Sequence, residues 1–125
     1  MLPRDNRVKT ASDFSRIMRT GVRSGRQNFV LFAQQTDSSA SPERVGFVVS
    51  KAVGNAVTRN LVKRRLRHLM AERITQRQHS GEQPRCDFVL RAFPPAATAS
   101  YTELGQDLDS SLAAVTKKLQ SHRQG

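Results

Sequence analysis

No acidic residue occurs between Arg44 and Met70, and the segment from Asn55 onward carries two different stripes. Placed on a helix, Asn60, Lys63, Arg64 and Arg67 follow i, i+3, i+4, i+7 spacing and line one face. Val62, Leu66, Leu69 and Met70 collect on another. Such a helix must lay its apolar stripe on a core and keep its charged stripe outside. Each like-charge pair along the stripe costs roughly 0.2–0.5 kcal/mol, with no neighbouring carboxylate to offset it. Phosphates would supply the missing counter-charge, and arginine forks suit them bidentately. Asn60 adds a neutral donor and acceptor suited to a 2′-hydroxyl or a base edge. The competing reading is a solvated helix face. The uniform sign and the length of the run favour nucleic acid.

The whole chain repeats this imbalance. Twenty-one Lys and Arg against 10 Asp and Glu give a net charge of +11 over 125 residues. That length argues for one domain, because two would leave neither with much of a core. So large an excess favours nucleic acid, an anionic membrane or an acidic protein as partner. Membrane is the weakest of these, because no apolar run approaches the ~20 residues that span a bilayer. The start, MLPRDNRVKTASDF, lacks the apolar core of a signal peptide, so the expected location is the cytoplasm. The lone cysteine, Cys86, sits in an apolar stretch and reads as a small buried hydrophobe. The carboxylates are scattered, and His68, His79 and His122 have no partners at metal-ligand spacing. No phosphate-binding loop of the G-x-x-x-x-G-K type occurs. The expectation is a protein with no catalytic residue, metal site or small-molecule substrate of its own.

The pattern along the chain reads α-β-β-α-β-α in one α+β domain. Residues 1–9 read as a polar lead-in. A helix is expected over about 11–20, opened by Thr10 with Asp13 as a capping box and stopped by Gly21. Strands follow at 27–35 and 44–50, the second apolar enough for an interior position. Asn55 is the expected N-cap of a helix running to about residue 76. A third strand spans 86–93 and ends at Pro94-Pro95. Ser100 with Glu103 makes a second capping box for a closing helix whose apolar face is Tyr101, Leu104, Leu108, Leu112, Val115 and Leu119. Residues 36–43 and 77–85 read as loops. Phe14 and Met18 on the first helix, with Val30 and Phe32 on one strand face, could line an apolar groove for unstacked bases. Periodicity alone favours core for all four.

The run Val45-Gly46, Ser50-Lys51, Val53-Gly54-Asn55-Ala56-Val57-x-Arg59-Asn60-x-x-Lys63-Arg64-x-x-Arg67 resembles the signature of the bacterial ribonuclease P protein subunit. Asp13-Phe14, Gly21 and Phe29-Val30-Leu31-Phe32 resemble the family's opening, so the likeness covers about residues 6–119. The resemblance implies a single-domain α/β sandwich over 1–125, ribosomal-protein-S5-domain-2-like, with flexible ends and a left-handed β-α-β crossover. It implies a non-catalytic subunit that binds the catalytic RNA of ribonuclease P and the 5′ leader of precursor tRNA, in a holoenzyme whose RNA requires Mg2+. Lys51, Asn55, Arg59, Asn60, Lys63, Arg64, Arg65 and Arg67 would touch RNA, and Phe14, Met18, Val30 and Phe32 would hold the leader. Two positions depart from the family pattern. Leu61 stands where a second arginine is frequent, so either one RNA contact is missing or Arg65 replaces it from a neighbouring face, and Met18 stands where an aromatic residue is frequent. A ribosomal or RNA-chaperone protein and a sequence-specific DNA-binding protein are the other classes that the charge permits.

Overall fold

The computed structural model describes residues 2–36, 42–81 and 85–124, with side chains as far as Ser121. Most of the loop expected at 36–43, residues 82–84 of the second loop, the His122 side chain and Gly125 fall outside them. The described residues form α1 (Ala11–Thr20), β1 (Val22–Gly25), β2 (Phe29–Gln35), β3 (Arg44–Val48), α2 (Ala56–Ser80), β4 (Cys86–Ala92) and α3 (Tyr101–Gln124). Short 3-10 turns stand at Arg4–Asn6, Lys51–Val53 and Pro94–Ala97.

The strands make one sheet in the order β1-β2-β4-β3. β1, β2 and β4 pair antiparallel, and β3 pairs parallel with β4 through the crossover helix α2. Alternation along β2 and β4 divides two cores. Phe29, Leu31, Phe88 and Leu90 face the layer built by Val62, Leu66, Leu69 and Met70 of α2 with Leu104, Leu108, Leu112, Val115 and Leu119 of α3. On the opposite face Val30, Phe32 and Val89 pack with Val8 and with Ile17 of α1. The product is an α+β sandwich of three layers, with α1 alone on one side.

Several expectations change. Tyr101, expected on the packing face of the closing helix, is exposed in the first turn of α3, with its hydroxyl turned toward Glu72. β1 is a fourth strand that the sequence hid: Val-Arg-Ser-Gly is too short and polar to show alternation. β3 is an edge strand, not an interior one, and its apolar character has another cause. The supposed lead-in docks beside it, with Leu2 and Val8 buried and the Val8 amide donating to the Val45 carbonyl at 3.1 Å. α2 runs to Ser80, four residues past the expected end, and stops at Gly81 in the left-handed conformation (φ 65°). Gly21 ends α1 from extended backbone (φ −79°). Glycine is needed there because a Cβ would sit 2.6 Å from the Ala33 carbonyl oxygen.

The caps behave as hydrogen-bond chemistry requires. Thr10 Oγ1 accepts from the Asp13 amide at 3.1 Å, half of a capping box. Ser100 and Glu103 complete the reciprocal form, at 3.0 and 3.3 Å. Asn55 Oδ1 accepts from the Thr58 amide at 2.9 Å and starts α2. Beneath the far end of α2 lies a buried ion pair. Arg77 Nε meets Glu43 Oε1 at 2.9 Å, and the guanidinium lies 5.1 Å from the centre of the Phe88 ring. Glu43 also accepts from the Cys86 amide at 2.9 Å, so this one carboxylate ties α2 to β4.

Candidate nucleic-acid interface

The cations of this chain sort by partner. Arg16, Arg44, Arg73 and Arg77 each pair with a carboxylate. Among the described residues, Lys51, Lys63, Arg64 and Arg67 make no ion pair with any carboxylate. Asn60 and Arg64 are exposed, and Lys63 and Arg67 are half-buried along the same face of α2. Lys51 is exposed in the turn before the helix, and Asn55 is exposed at its cap. Gly54 joins the two at φ 157°, where a Cβ would meet the Thr58 methyl at 2.9 Å, so the tight entry into α2 depends on glycine.

Two basic residues stand apart from this stripe. Arg59 is half-buried, and its Nε is buried without a hydrogen-bond partner. Arg65 donates from Nη1 to the Ala99 carbonyl at 3.2 Å, which holds α2 against the linker leading into α3. It therefore serves packing in this structure rather than standing free beside Leu61, which is itself half-buried.

Phe14, Met18, Val30 and Phe32 do come together, in the core under α1. Their exposure is unequal. Val30 and Phe32 are buried, whereas Phe14 and Met18 are half-buried, and so are Val48 and Phe93 beside them. The surface open to a ligand is thus partly made by residues the sequence reading passed over. Arg91 is another. Strand register sets it opposite both Val30 and Val48, so it shares their sheet face, and it is exposed. Period-two alternation in Cys86–Ala92 carries that signal: Phe88 and Leu90 point to the large core, Val89 and Arg91 away from it.

A cleft of about 180 Å³ joins the two regions, lined by Arg7, Phe14, Gly46, Phe47, Lys63 and Arg67 among others. Gly46 permits this junction, because a Cβ there would overlap the Phe14 ring. Apolar rings and unpaired cations in one continuous surface are what single-stranded RNA requires: stacking for bases and charge for phosphates.

A carboxylate network fixes α1 over the sheet. Asp87, with a nearly buried side chain, contacts Arg44 at 2.8 Å and Arg16 at 3.4 Å. Asp13 contacts Arg16 at 3.0 Å and Arg44 at 3.4 Å. The hydrogen bond from Arg16, helped by Thr10 and the charge of Arg44, holds the Asp13 carboxyl below its usual range. Cys86 is buried, and loss of solvent pushes its thiol up to about 12. Among the described residues no group of three His, Cys, Asp or Glu could hold a metal ion. No described helix is long and apolar enough to cross a membrane.

The ribonuclease P family model matches residues 2–116 of this chain. The ribonuclease P protein component of Kocuria rhizophila is 49% identical over 118 residues, covering 94% of this chain and 98% of the relative. That of a Nocardioides species is 47% identical, covering 92% and 95%. Among solved structures, the RNase P protein of Staphylococcus aureus is similar at a TM-score of 0.71 and 28% identity, covering 89% of this chain and 97% of that one. The RNase P protein of Thermotoga maritima shares the fold, at a TM-score of 0.66 and 22% identity over 89% and 96% of the two chains. With the family model spanning nearly the whole length and the likeness extending over both sheet faces, this chain belongs to the ribonuclease P protein family.

Proposed function

We propose that this chain is the protein subunit of a ribonuclease P, binding the catalytic RNA through the basic face of α2 and the 5′ leader of precursor tRNA in the groove beside α1. One observation carries this reading: a stripe of cations without carboxylate partners runs, through the cleft at Phe14 and Gly46, into a half-exposed apolar surface. Lys51, Asn55, Asn60, Lys63, Arg64 and Arg67 contact the catalytic RNA, with Arg59 at the margin and Arg65 acting through the position of the helix. Phe14, Met18, Val30 and Phe32, joined by Val48, Phe93 and Arg91, receive the leader.

In this reading the bond is cut by the RNA subunit, with Mg2+ held by RNA. The protein acts by charge and by contact. Its cations offset repulsion between two polyanions, which lowers the divalent ion that assembly needs. Groove contacts to the leader are lost once the leader leaves, so the protein favours precursor over mature tRNA. In this reading the protein acts on precursor tRNA in the cytoplasm.

Substituting Arg64→Ala together with Arg67→Ala tests the assignment. Each phosphate contact contributes about 0.7–0.9 to the slope of log affinity against log salt. The expected outcome is weaker binding to the catalytic RNA and a salt slope flatter by about 1.5. Unchanged affinity and slope would remove α2 from the interface.

A further inference from the structure

α1 runs across the sheet from edge strand β3 as far as β2, the neighbour of edge strand β1. Its first turn stands over β3, where Phe14 lies on Gly46 and Asp13 meets Arg44. Its last turn stands over β2, where Gly21 abuts the Ala33 carbonyl beside edge strand β1. Neighbouring strands lie ~4.8 Å apart, so the two edges are roughly 14 Å apart. The basic face of α2 meets the first of these edges through Lys63 and Arg67. At the second edge there is a separate, open cleft of about 380 Å³ lined by Met18, Arg19, Arg23 and Lys118 together with the turn into β1.

Three features make this corner a candidate site. Its charged lining residues are all cations, and no carboxylate lines it. Arg19 and Arg23 are exposed and make no ion pair among the described residues, unlike the arginines that hold the fold. The corner is also continuous with the groove. Met18 borders both, and strand register sets Arg23 directly opposite Phe32 on the same sheet face. The Lys118 ammonium donates to the Arg23 carbonyl, which brings a cation of α3 to the same place.

We propose that Arg19, Arg23 and Lys118 bind phosphates of the precursor's leader upstream of the nucleotides in the apolar groove. This rests on the leader reading above. The order follows from the geometry. Leader next to the cut bond lies near the catalytic RNA, hence near α2 at the β3 edge, and leader farther upstream must cross the sheet to reach β1. The corner offers charge without aromatic rings, so it grips backbone irrespective of sequence. It engages only leaders long enough to cross.

The test uses holoenzyme assembled from the full-length protein and the catalytic RNA, with precursor tRNAs whose leaders lengthen one nucleotide at a time. Wild-type affinity is expected to rise in two stages, first as the groove fills and again when the leader reaches the corner. Arg19→Ala combined with Arg23→Ala is expected to abolish the second rise, about tenfold, the size of one or two lost charge-assisted contacts. Binding of short-leader precursors and of mature tRNA stays at the wild-type level. Thermal melting of the variant checks its fold, and Arg19→Gln alone provides the same readout if the double variant is unstable. An unchanged length profile overturns the corner and leaves the groove reading standing. Uniform weakening at every length, mature tRNA included, also overturns it, because the corner would then serve the catalytic RNA. A wild-type holoenzyme indifferent to the leader removes the groove reading along with it.

Discussion

Arg64 and Arg77 lie on the same helix and meet different fates. Arg77 is buried against Glu43 and Phe88, while Arg64 is exposed without an acidic partner. Breaking a buried pair leaves an uncompensated charge, so Arg77→Ala is expected to lower stability by about 3–5 kcal/mol. Arg64→Ala is expected to stay within about 0.5 kcal/mol of wild type, as exposed substitutions do. Urea unfolding of both variants checks this, and equal losses would contradict the sorting of cations by partner. Cys86 makes a second residue-scale prediction. With its thiol pushed up to about 12 by burial, it is expected to resist alkylation at neutral pH until the chain unfolds. The stripe was legible because helical spacing is independent of tertiary context. Arg77 was not, because it fell in a segment read as loop. Nor was Arg65, whose partner is a backbone carbonyl that no spacing rule points to.

At the scale of elements, the two helices that bear on function are held in different ways. α2 is gripped by a large core, whereas α1 packs on a smaller one and is pinned by the Asp13, Arg16, Arg44 and Asp87 network. The folded protein holds Asp13 below its ordinary value near 3.8. Between the two values the unfolded chain binds more protons, so the stabilisation is complete above pH ~3.8 and is lost as pH falls through the lower, folded value. Stability measured from pH 7 to pH 2 is therefore expected to fall less steeply for Asp13→Asn than for wild type, from a lower starting point. Parallel curves would remove Asp13 from the network's energetics. Element type was legible wherever caps and apolar period agreed, as at Thr10, Asn55 and Ser100. It failed where tertiary contact decides. β1 exists because β2 offers an edge, and residues 2–8 are ordered because β3 needs cover.

For the whole molecule, the excess of positive charge is a surface property with a direction. One cationic region follows α2 at the β3 edge, another lies at the β1 edge, and the apolar groove beside α1 runs between them. The sequence carried the total charge and the first region. It could not carry the second, because Arg19, Arg23 and Lys118 come from three elements and meet only when the sheet forms. In the function proposed above, this protein enables an RNA to cut precursor tRNA without cutting it itself. The most direct measurement is cleavage of a 5′-labelled precursor tRNA at low magnesium with protein alone, ribonuclease P RNA alone, and both together. Cleavage at the mature 5′ end is expected only, or predominantly, in the combination. Cleavage by the protein alone, or no stimulation of the RNA by folded, RNA-binding protein, would contradict that function.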